Sequence, residues 1–502
     1  RTMALQLVDW LLLAGYFVVV ALVGAASYIK ERRNAAKSQA SSDSYFLAGR
    51  SMGWFPIGLS LFVSNIGSEH LVGLAGTASE TGLAVGLYEW SAGIHLLVLG
   101  WLFAPMYIRM QISTLPEYLE TRFSPALRAL FSTVTLFIYI FTKLSVSVFS
   151  GATVLHSVFG LPVFGAAAGL VCVTAVYTAV GGLEAVIVTD VAQSAVLLAG
   201  AICMTLVGLR QVGGLAALRS SPPATLTEAE WTTFFRLYRP PSDETLPTLG
   251  LLLGQNIGGL WYWCLDQAIV QRVLAARSLE HARGGAIFAA LLKVTPVFMM
   301  VLPGIIARKL YPLELEAQGS NEALPLMMRL LPPGLLGLML AATVAACMSS
   351  LDSVFTAAAS LFCLDIYKPY VRPNASPRHL IGVGRVFSAA VALLTLAWMP
   401  VISILSSQVF IYIQSISMYL APPIVAVYFG GALWRRANNP GAVACFVVGY
   451  TLGVARLLGE IACKLSGATS APAQLLFLSN YLYAGFVIFA TCVVVLVLVS
   501  IS

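Results

Sequence analysis

Thirteen apolar stretches, each long enough to cross a bilayer at about 20 residues per crossing, follow one another along this chain, near residues 9–29, 54–76, 83–107, 126–157, 162–182, 187–208, 248–270, 285–308, 334–364, 380–400, 404–432, 440–461 and 479–501. Only 10% of the residues are charged and 59% are hydrophobic, against roughly a quarter charged in soluble domains. The chain reads as an all-α polytopic protein seated in the lipid bilayer, with no soluble domain. The first stretch has only Arg1 before it and no small-residue cleavage site after it, so it reads as a retained helix, not a signal peptide. The chain ends in or just after its last crossing, which leaves room for a further C-terminal segment.

Two crossings break the apolar rule. Phe62-Val63-Ser64-Asn65-Ile66-Gly67-Ser68-Glu69-His70 places small, polar and ionisable groups mid-span, and Gly254-Gln255-Asn256-Ile257-Gly258-Gly259 does the same ahead of Trp261-Tyr262-Trp263. Hydrocarbon cannot hydrogen-bond an opened backbone, so an interruption survives where it lines a binding cavity. The two lie five crossings apart, the spacing of an inverted-repeat transporter with its site at the bilayer midplane. Glycine and serine patches also serve plain helix packing, which is the competing reading.

Cations follow alternate crossings: Lys30, Arg32, Arg33, Lys37 and Arg50; Arg109, Arg122 and Arg128; Arg272, Arg277 and Arg283; Lys368, Arg372 and Arg378; Arg435 and Arg436. These loops are expected in the cytoplasm and the N-terminus outside, at the plasma membrane. The net charge of +7 then faces an anionic leaflet and needs no nucleic acid. A glycan on Asn374-Ala375-Ser376, which lies in an expected inside loop, would invert this topology. The outside loop near 209–247 carries Pro222-Pro223, Pro240-Pro241 and an aromatic run from Trp231, and reads as a short amphipathic lid. The eight cysteines have neither disulfide nor metal-ligand spacing and read as packing residues.

Seven ordered strings carry a family resemblance: Tyr45-Phe-Leu-Ala-Gly-Arg-Ser-Met52, Ser60-Leu-Phe-Val-Ser-Asn-Ile-Gly-Ser68, Phe141-Thr-Lys-Leu-Ser145, Gly181-Gly-Leu-Glu-Ala-Val186 with Thr189-Asp190, Trp261-Tyr-Trp-Cys264 with Asp266-Gln267 and Gln271-Arg272, Met348-Ser-Ser-Leu351, and Tyr412-Ile-Gln-Ser415. Over residues 44 to 460 the chain resembles the sodium/glucose cotransporter family of solute:sodium symporters, with a local similarity to sodium/myo-inositol cotransporters. The resemblance implies a five-plus-five inverted-repeat (LeuT-like) bundle with one extra N-terminal and extra C-terminal helices. Its parts are a leading helix and cytoplasmic loop at 1–53, a first repeat half at 54–210, an extracellular loop at 211–247, a second half at 248–432 and trailing helices at 433–502.

The resemblance places a neutral sugar or polyol between the broken helices, against Asn65, His70, Glu89, Lys293 and Gln414, with Trp263 as the apolar face. The residues agree, because a hydroxyl-rich ring needs polar partners and one flat apolar surface. Glu89 and Lys293 each cost about 2.5–3.5 kcal/mol at a helix centre if unpaired, which points to a shared polar cavity. A structural ion pair without ligand contact, a snorkelling Lys293, or a packing role for His70 are the plainer readings. By resemblance, Tyr262 is an inner gate, and Leu74, Tyr88 and Phe410 form an outer one.

For sodium, a small hard cation that must leave again wants about five oxygens with little net charge. Ser349, Ser350 and the carbonyls of Val63, Ile66 and Ala346 match the family's common sodium site, although paired serines in a helix often bond their own backbone instead. A second cation site matches at Ser64, Asp190 and Ser353. Asp352 stands there where relatives carry a hydroxyl or small residue, so one of two carboxylates must be protonated, cation-bound or turned away. Other departures are Glu69, which with His70 is similar to the myo-inositol carriers; Gly259, where relatives have a side chain that reaches the sugar; Ser147, where many have aspartate; and a short stretch after Tyr311 in place of a cysteine-rich loop.

The expected function is symport of one sodium ion, or two, with a neutral glucose- or galactose-like hexose by alternating access. Sodium/myo-inositol symport, or a non-transporting sensor on the same fold, are the alternatives. An enzyme is disfavoured, since the five histidines show no metal spacing and no phosphate-cradling glycine loop is present.

Overall fold

The computed structural model describes residues 5–36, 42–405, 409–466 and 479–502. Among them the secondary structure is helical, apart from one isolated bridge between Met52 and Ala276. The helices used below are α1 (Leu7–Ala36), α2 (Trp54–Asn65), α3 (Ser68–Thr81), α4 (Leu87–Val98), α5 (Leu115–Arg122), α6 (Pro125–Ile138), α7 (Ser145–Phe159) and α8 (Val163–Gln211). They continue with α9 (Glu228–Phe234), α10 (Asn256–Leu265), α11 (Gln267–Leu274), α12 (Leu279–Leu292), α13 (Leu302–Leu310), α14 (Leu335–Ser360), α15 (Pro377–Leu405), α16 (Val409–Leu433), α17 (Asn439–Ser466) and α18 (Tyr481–Ile501).

Among the described residues, ten helical stretches are long and apolar enough to cross a membrane. The three remaining expected crossings are those that break or bend: 54–76, divided into α2 and α3; 248–270, divided around α10 and α11; and 162–182, which merges with the next crossing into α8. At 1.5 Å per residue the 49 residues of α8 far exceed the roughly 30 Å hydrocarbon, so α8 holds two crossings meeting at Gly182. Gly182 has φ +60°, and a Cβ there would sit 2.8 Å from the Tyr45 ring and from the Tyr45 carbonyl. Only glycine fits that bend.

The first five crossings after α1 run from α2 to the end of α8, and the next five from α10 to α16. Each set opens with a broken helix, giving the LeuT-like five-plus-five bundle, with α1 before it and α17 and α18 behind. α14 lies at the centre, with 89% of its most apolar window buried, whereas α1 and α18 are mostly turned outward. α2 packs along α12, and α14 along α8.

The two breaks differ in kind. Between α2 and α3, Ile66 leaves the helix (φ −92°, ψ 83°), its N–H turns back to the Val63 carbonyl at 2.9 Å, and Gly67 is extended. The second break does not fall at Gly254–Gly259 as expected. There the chain makes a π turn at Leu251–Gln255 and then runs helically to Leu265, and the opening comes at Asp266 (φ −92°, ψ 123°). The Asp266 carboxylate closes it by accepting from the Ala268 N–H at 2.8 Å, Tyr139 Oη at 2.6 Å and Lys143 Nζ at 3.0 Å. Gly258 and Gly259 serve close approach instead: a Cβ on either would collide with Met418 or His95.

The 209–247 loop is pinned down. Trp231 of α9 is buried and donates from Nε1 to the Leu218 carbonyl at 2.9 Å, and Phe234 lies on Gly82, at the turn between α3 and α4. A capping box of Thr227 and Glu230 starts α9.

Candidate functional site

The helix ends around the first break deliver the ionisable groups. Glu89 sits in the first turn of α4 and Lys293 just past the last residue of α12, the helix poles that favour an anion and a cation respectively. Their side chains meet at 2.5 Å, Lys293 Nζ also donates to Asn65 Oδ1, and it stands 5.3 Å from the centre of the Trp263 ring. Asn65 is the last residue of α2, and His70, in the first turn of α3, reaches Glu89 at 4.0 Å and Glu69 at 3.7 Å.

These groups face one cavity. All six expected substrate residues line it: Asn65, His70, Glu89, Trp263, Lys293 and Gln414. So do Tyr88, Tyr262 and Phe410. Leu74 does not; it is buried in the apolar core shared with Tyr88 and Phe410. On α16 the wall is one helical stripe, Phe410, Ile413, Gln414 and Ser417, and Phe410 sets its ring edge-on to His70 and Tyr88. The Tyr88 hydroxyl pairs with Tyr481 of α18 at 2.5 Å, so a trailing helix braces this wall.

The wall also holds residues that the sequence reading did not place in the site: Glu69, Thr142, Lys143, Gln255 and Ser417. Thr142, Lys143 and Gln255 arrive on π turns, Tyr139–Leu144 and Leu251–Gln255, whose extra residue rotates the facing side chain off the 3.6 period. Lys143 was detectable as a further intramembrane charge. It reaches Asp266 and stands 4.5 Å from the Tyr262 ring.

A second polar cluster lies among α2, α8, α11 and α14. Asp190 accepts from Ser60 at 2.5 Å, Ser64 at 3.2 Å and Ser349 at 2.6 Å, and faces Arg272 at 3.6 Å. Arg272 also donates to Ser60 Oγ at 2.8 Å and to Ser353 Oγ. This corrects the sequence reading of Arg272 as a loop cation: it is fully buried, and only a carboxylate brought in from α8 makes that tolerable. Asp352 accepts from Tyr177 and lies 3.2 Å from Ser353 Oγ.

Of the expected sodium ligands, Val63 and Ile66 flank the first break, and Ala346, Ser349 and Ser350 occupy one stretch of α14. Ser68, just past the break, and Cys347 both donate to the Ser147 carbonyl, at 2.7 and 3.8 Å, which draws the two segments together. Ser350 Oγ is buried with no hydrogen-bond partner among the described residues, an oxygen a cation would complete. Ser349 donates its hydroxyl to Asp190 at 2.6 Å, and the Ser350 oxygen is the one in this set left to fit a sodium ion.

Residues 45–449 match the model of the sodium:solute symporter family. The chain belongs to that family. It is a sodium-coupled solute symporter and a multi-pass membrane protein. It is 42% identical over 480 residues to the sodium/myo-inositol cotransporter 2 of Sus scrofa, covering 90% of this chain and 70% of that one. It is 39% identical over 521 residues to the sodium/glucose cotransporter 1 of Oryctolagus cuniculus, covering 97% and 77%. In fold, the symporter is similar to a substrate-bound, outward-open sodium-coupled sialic acid symporter, with a TM-score of 0.82 at 21% identity over 99% of this chain and 98% of that one.

Proposed function

We propose that this symporter moves a neutral hexose of the glucose or galactose type inward with sodium, by alternating access around the cavity between the two breaks. The observation that carries this reading is the convergence of Asn65, Glu89, Lys293 and Gln414 with the Trp263 ring on one cavity wall. Because Glu89 and Lys293 neutralise each other, the site offers donors and acceptors without net charge, which suits hydroxyls better than an anion. Trp263 supplies the flat face for the ring's C–H surface. Tyr262 serves as the inner gate and Tyr88 and Phe410 as the outer, with Leu74 behind them in the core.

Val63, Ile66, Ala346, Ser349 and Ser350 hold the sodium ion, supported by the unpartnered Ser350 hydroxyl beside a break whose backbone is open. Sodium there fastens α14 to the α2–α3 break, and Asn65, one residue before Ile66, is thereby set for the substrate. A tenfold gradient with about 60 mV gives roughly 2.8 kcal/mol per ion, or about a hundredfold accumulation. A second cation sits at Ser64, Asp190, Asp352 and Ser353, where Asp190 faces the guanidinium of Arg272 and Asp352 lies 3.2 Å from the Ser353 hydroxyl; a proton on Asp352 balances the same charge. A charge-to-sugar ratio of two from reversal potentials is the expected result, and a ratio of one removes the second ion.

Myo-inositol is the second reading, favoured by Glu69, which joins His70 on the cavity wall. Sodium-driven uptake of labelled glucose into proteoliposomes, challenged with galactose, mannose, fructose and myo-inositol, separates the two. Displacement by galactose above myo-inositol supports the hexose, and the reverse order the cyclitol. No accumulation of either under a sodium gradient overturns the transport reading and leaves a sensor.

A further inference from the structure

Lys143 enters the cavity wall on the π turn Tyr139–Leu144, a helix distortion of the kind that often marks a functional position. Its side chain keeps 15% of its surface exposed, against 1% for Lys293, the other lysine of the wall.

The hydrogen bonds of the two lysines differ in the same sense. Lys293 donates to both Glu89 and Asn65. Lys143, with three N–H donors, spends one on Asp266 Oδ2 at 3.0 Å. Its other close neighbours are ring faces, Tyr262 with its centre at 4.5 Å and Tyr139 at 5.5 Å, which attract a cation without accepting a directed hydrogen bond in the way an oxygen does. Asp266 stands behind the wall with no exposed side-chain surface, and its Oδ1 already accepts from the Tyr139 hydroxyl and the Ala268 N–H. The carboxylate therefore balances the charge and anchors the ammonium, while two donors of Lys143 have no protein acceptor among the described residues. Donors left over on a charge that is already neutralised suit an oxygen of a neutral ligand in the cavity.

We propose that Lys143 is a specificity-determining residue of this symporter: at the Tyr262 end of the cavity its ammonium donates a hydrogen bond to one hydroxyl oxygen of the bound polyol. This rests on reading the cavity as the polyol site. Lys293, just past the end of α12, and Lys143, on the π turn between α6 and α7, then hold the ring at two points and fix its orientation.

The test is sodium-driven uptake of labelled glucose and myo-inositol into proteoliposomes, with the monodeoxy glucoses and monodeoxy inositols as competitors. Wild-type uptake is read first, and its absence fails the polyol reading before any variant is made. Given wild-type uptake, Lys143→Met/Asp266→Asn, which removes the donor together with its counter-charge, should weaken apparent affinity for the parent polyol roughly ten- to a hundredfold, the worth of a hydrogen bond from a charged donor. For one monodeoxy analogue, the one lacking the partnered hydroxyl, wild type and variant should bind alike. A variant that merely loosened the second break would weaken every analogue by the same factor, and that result overturns the proposal, as does an unchanged affinity for the parent. If the double variant does not reach the membrane, Lys143→Gln decides: it keeps an N–H donor and loses the charge, so the same analogue should be spared while the others weaken by a smaller factor, and a uniform loss again overturns the proposal.

Discussion

Two buried acid–base pairs of this symporter differ in what closes their third side. Glu89 and Lys293 meet at 2.5 Å on the wall of a cavity, with Asn65, His70 and Trp263 around them. Asp190 and Arg272 meet at 3.6 Å with no exposed surface, and serine hydroxyls from α2 and α14 complete both groups. Depth in the membrane is therefore not what marks a charge that meets the substrate. One pair opens on a cavity where a ligand can replace a partner, and the other is enclosed by protein, where nothing larger than an ion would fit.

That contrast predicts opposite mutational outcomes. The largest effect is expected for Arg272→Met, which strands the Asp190 carboxylate without a counter-charge. It should cost about 3–5 kcal/mol of stability, with much of the loss restored by adding Asp190→Asn. Thermal unfolding in detergent reads this, and a wild-type melting temperature for Arg272→Met would break the distinction. Lys293→Met should invert the pattern, because cavity water can solvate Glu89: stability should fall by only about 1 kcal/mol, while uptake drops roughly ten- to a hundredfold from the loss of charged hydrogen bonds. Equal destabilisation by both changes would make them the same kind of pair. Ser350→Ala sharpens the picture further, since it should raise the half-saturating sodium concentration about tenfold and leave the melting temperature alone; unchanged sodium dependence removes Ser350 from the ion site. Thr227→Ala, far from both pairs, should cost about 1 kcal/mol through the lost α9 cap without altering uptake.

The fold was legible where a local rule was violated. Ser64 to Ser68 interrupt an apolar run, and the first break lies there, because hydrocarbon leaves an opened backbone so few options. The second break was misplaced onto Gly254–Gly259, since a glycine pair gives one sequence signal for two jobs. Its packing job depends on His95 and Met418, and the true opening depends on Tyr139 and Lys143 reaching Asp266, contacts distant in sequence. Arg272 was misread for the same reason: nothing beside it in the chain announces Asp190. On the cavity wall, Glu89 and Lys293 stood out as charges in apolar helices. Thr142 did not, because a π turn shifts its facing and no single-sequence period records that.

The enclosure of α14 has a consequence for how this molecule moves. A rod gripped by protein on nearly every flank has no fluid lipid to swing through, and close-packed neighbours resist its sliding alone. It is the axle of the machine, with Ser349 and Ser350 fixed upon it. Any tilting of the half-helices at Ile66 and Asp266 would then be a displacement measured from that axle.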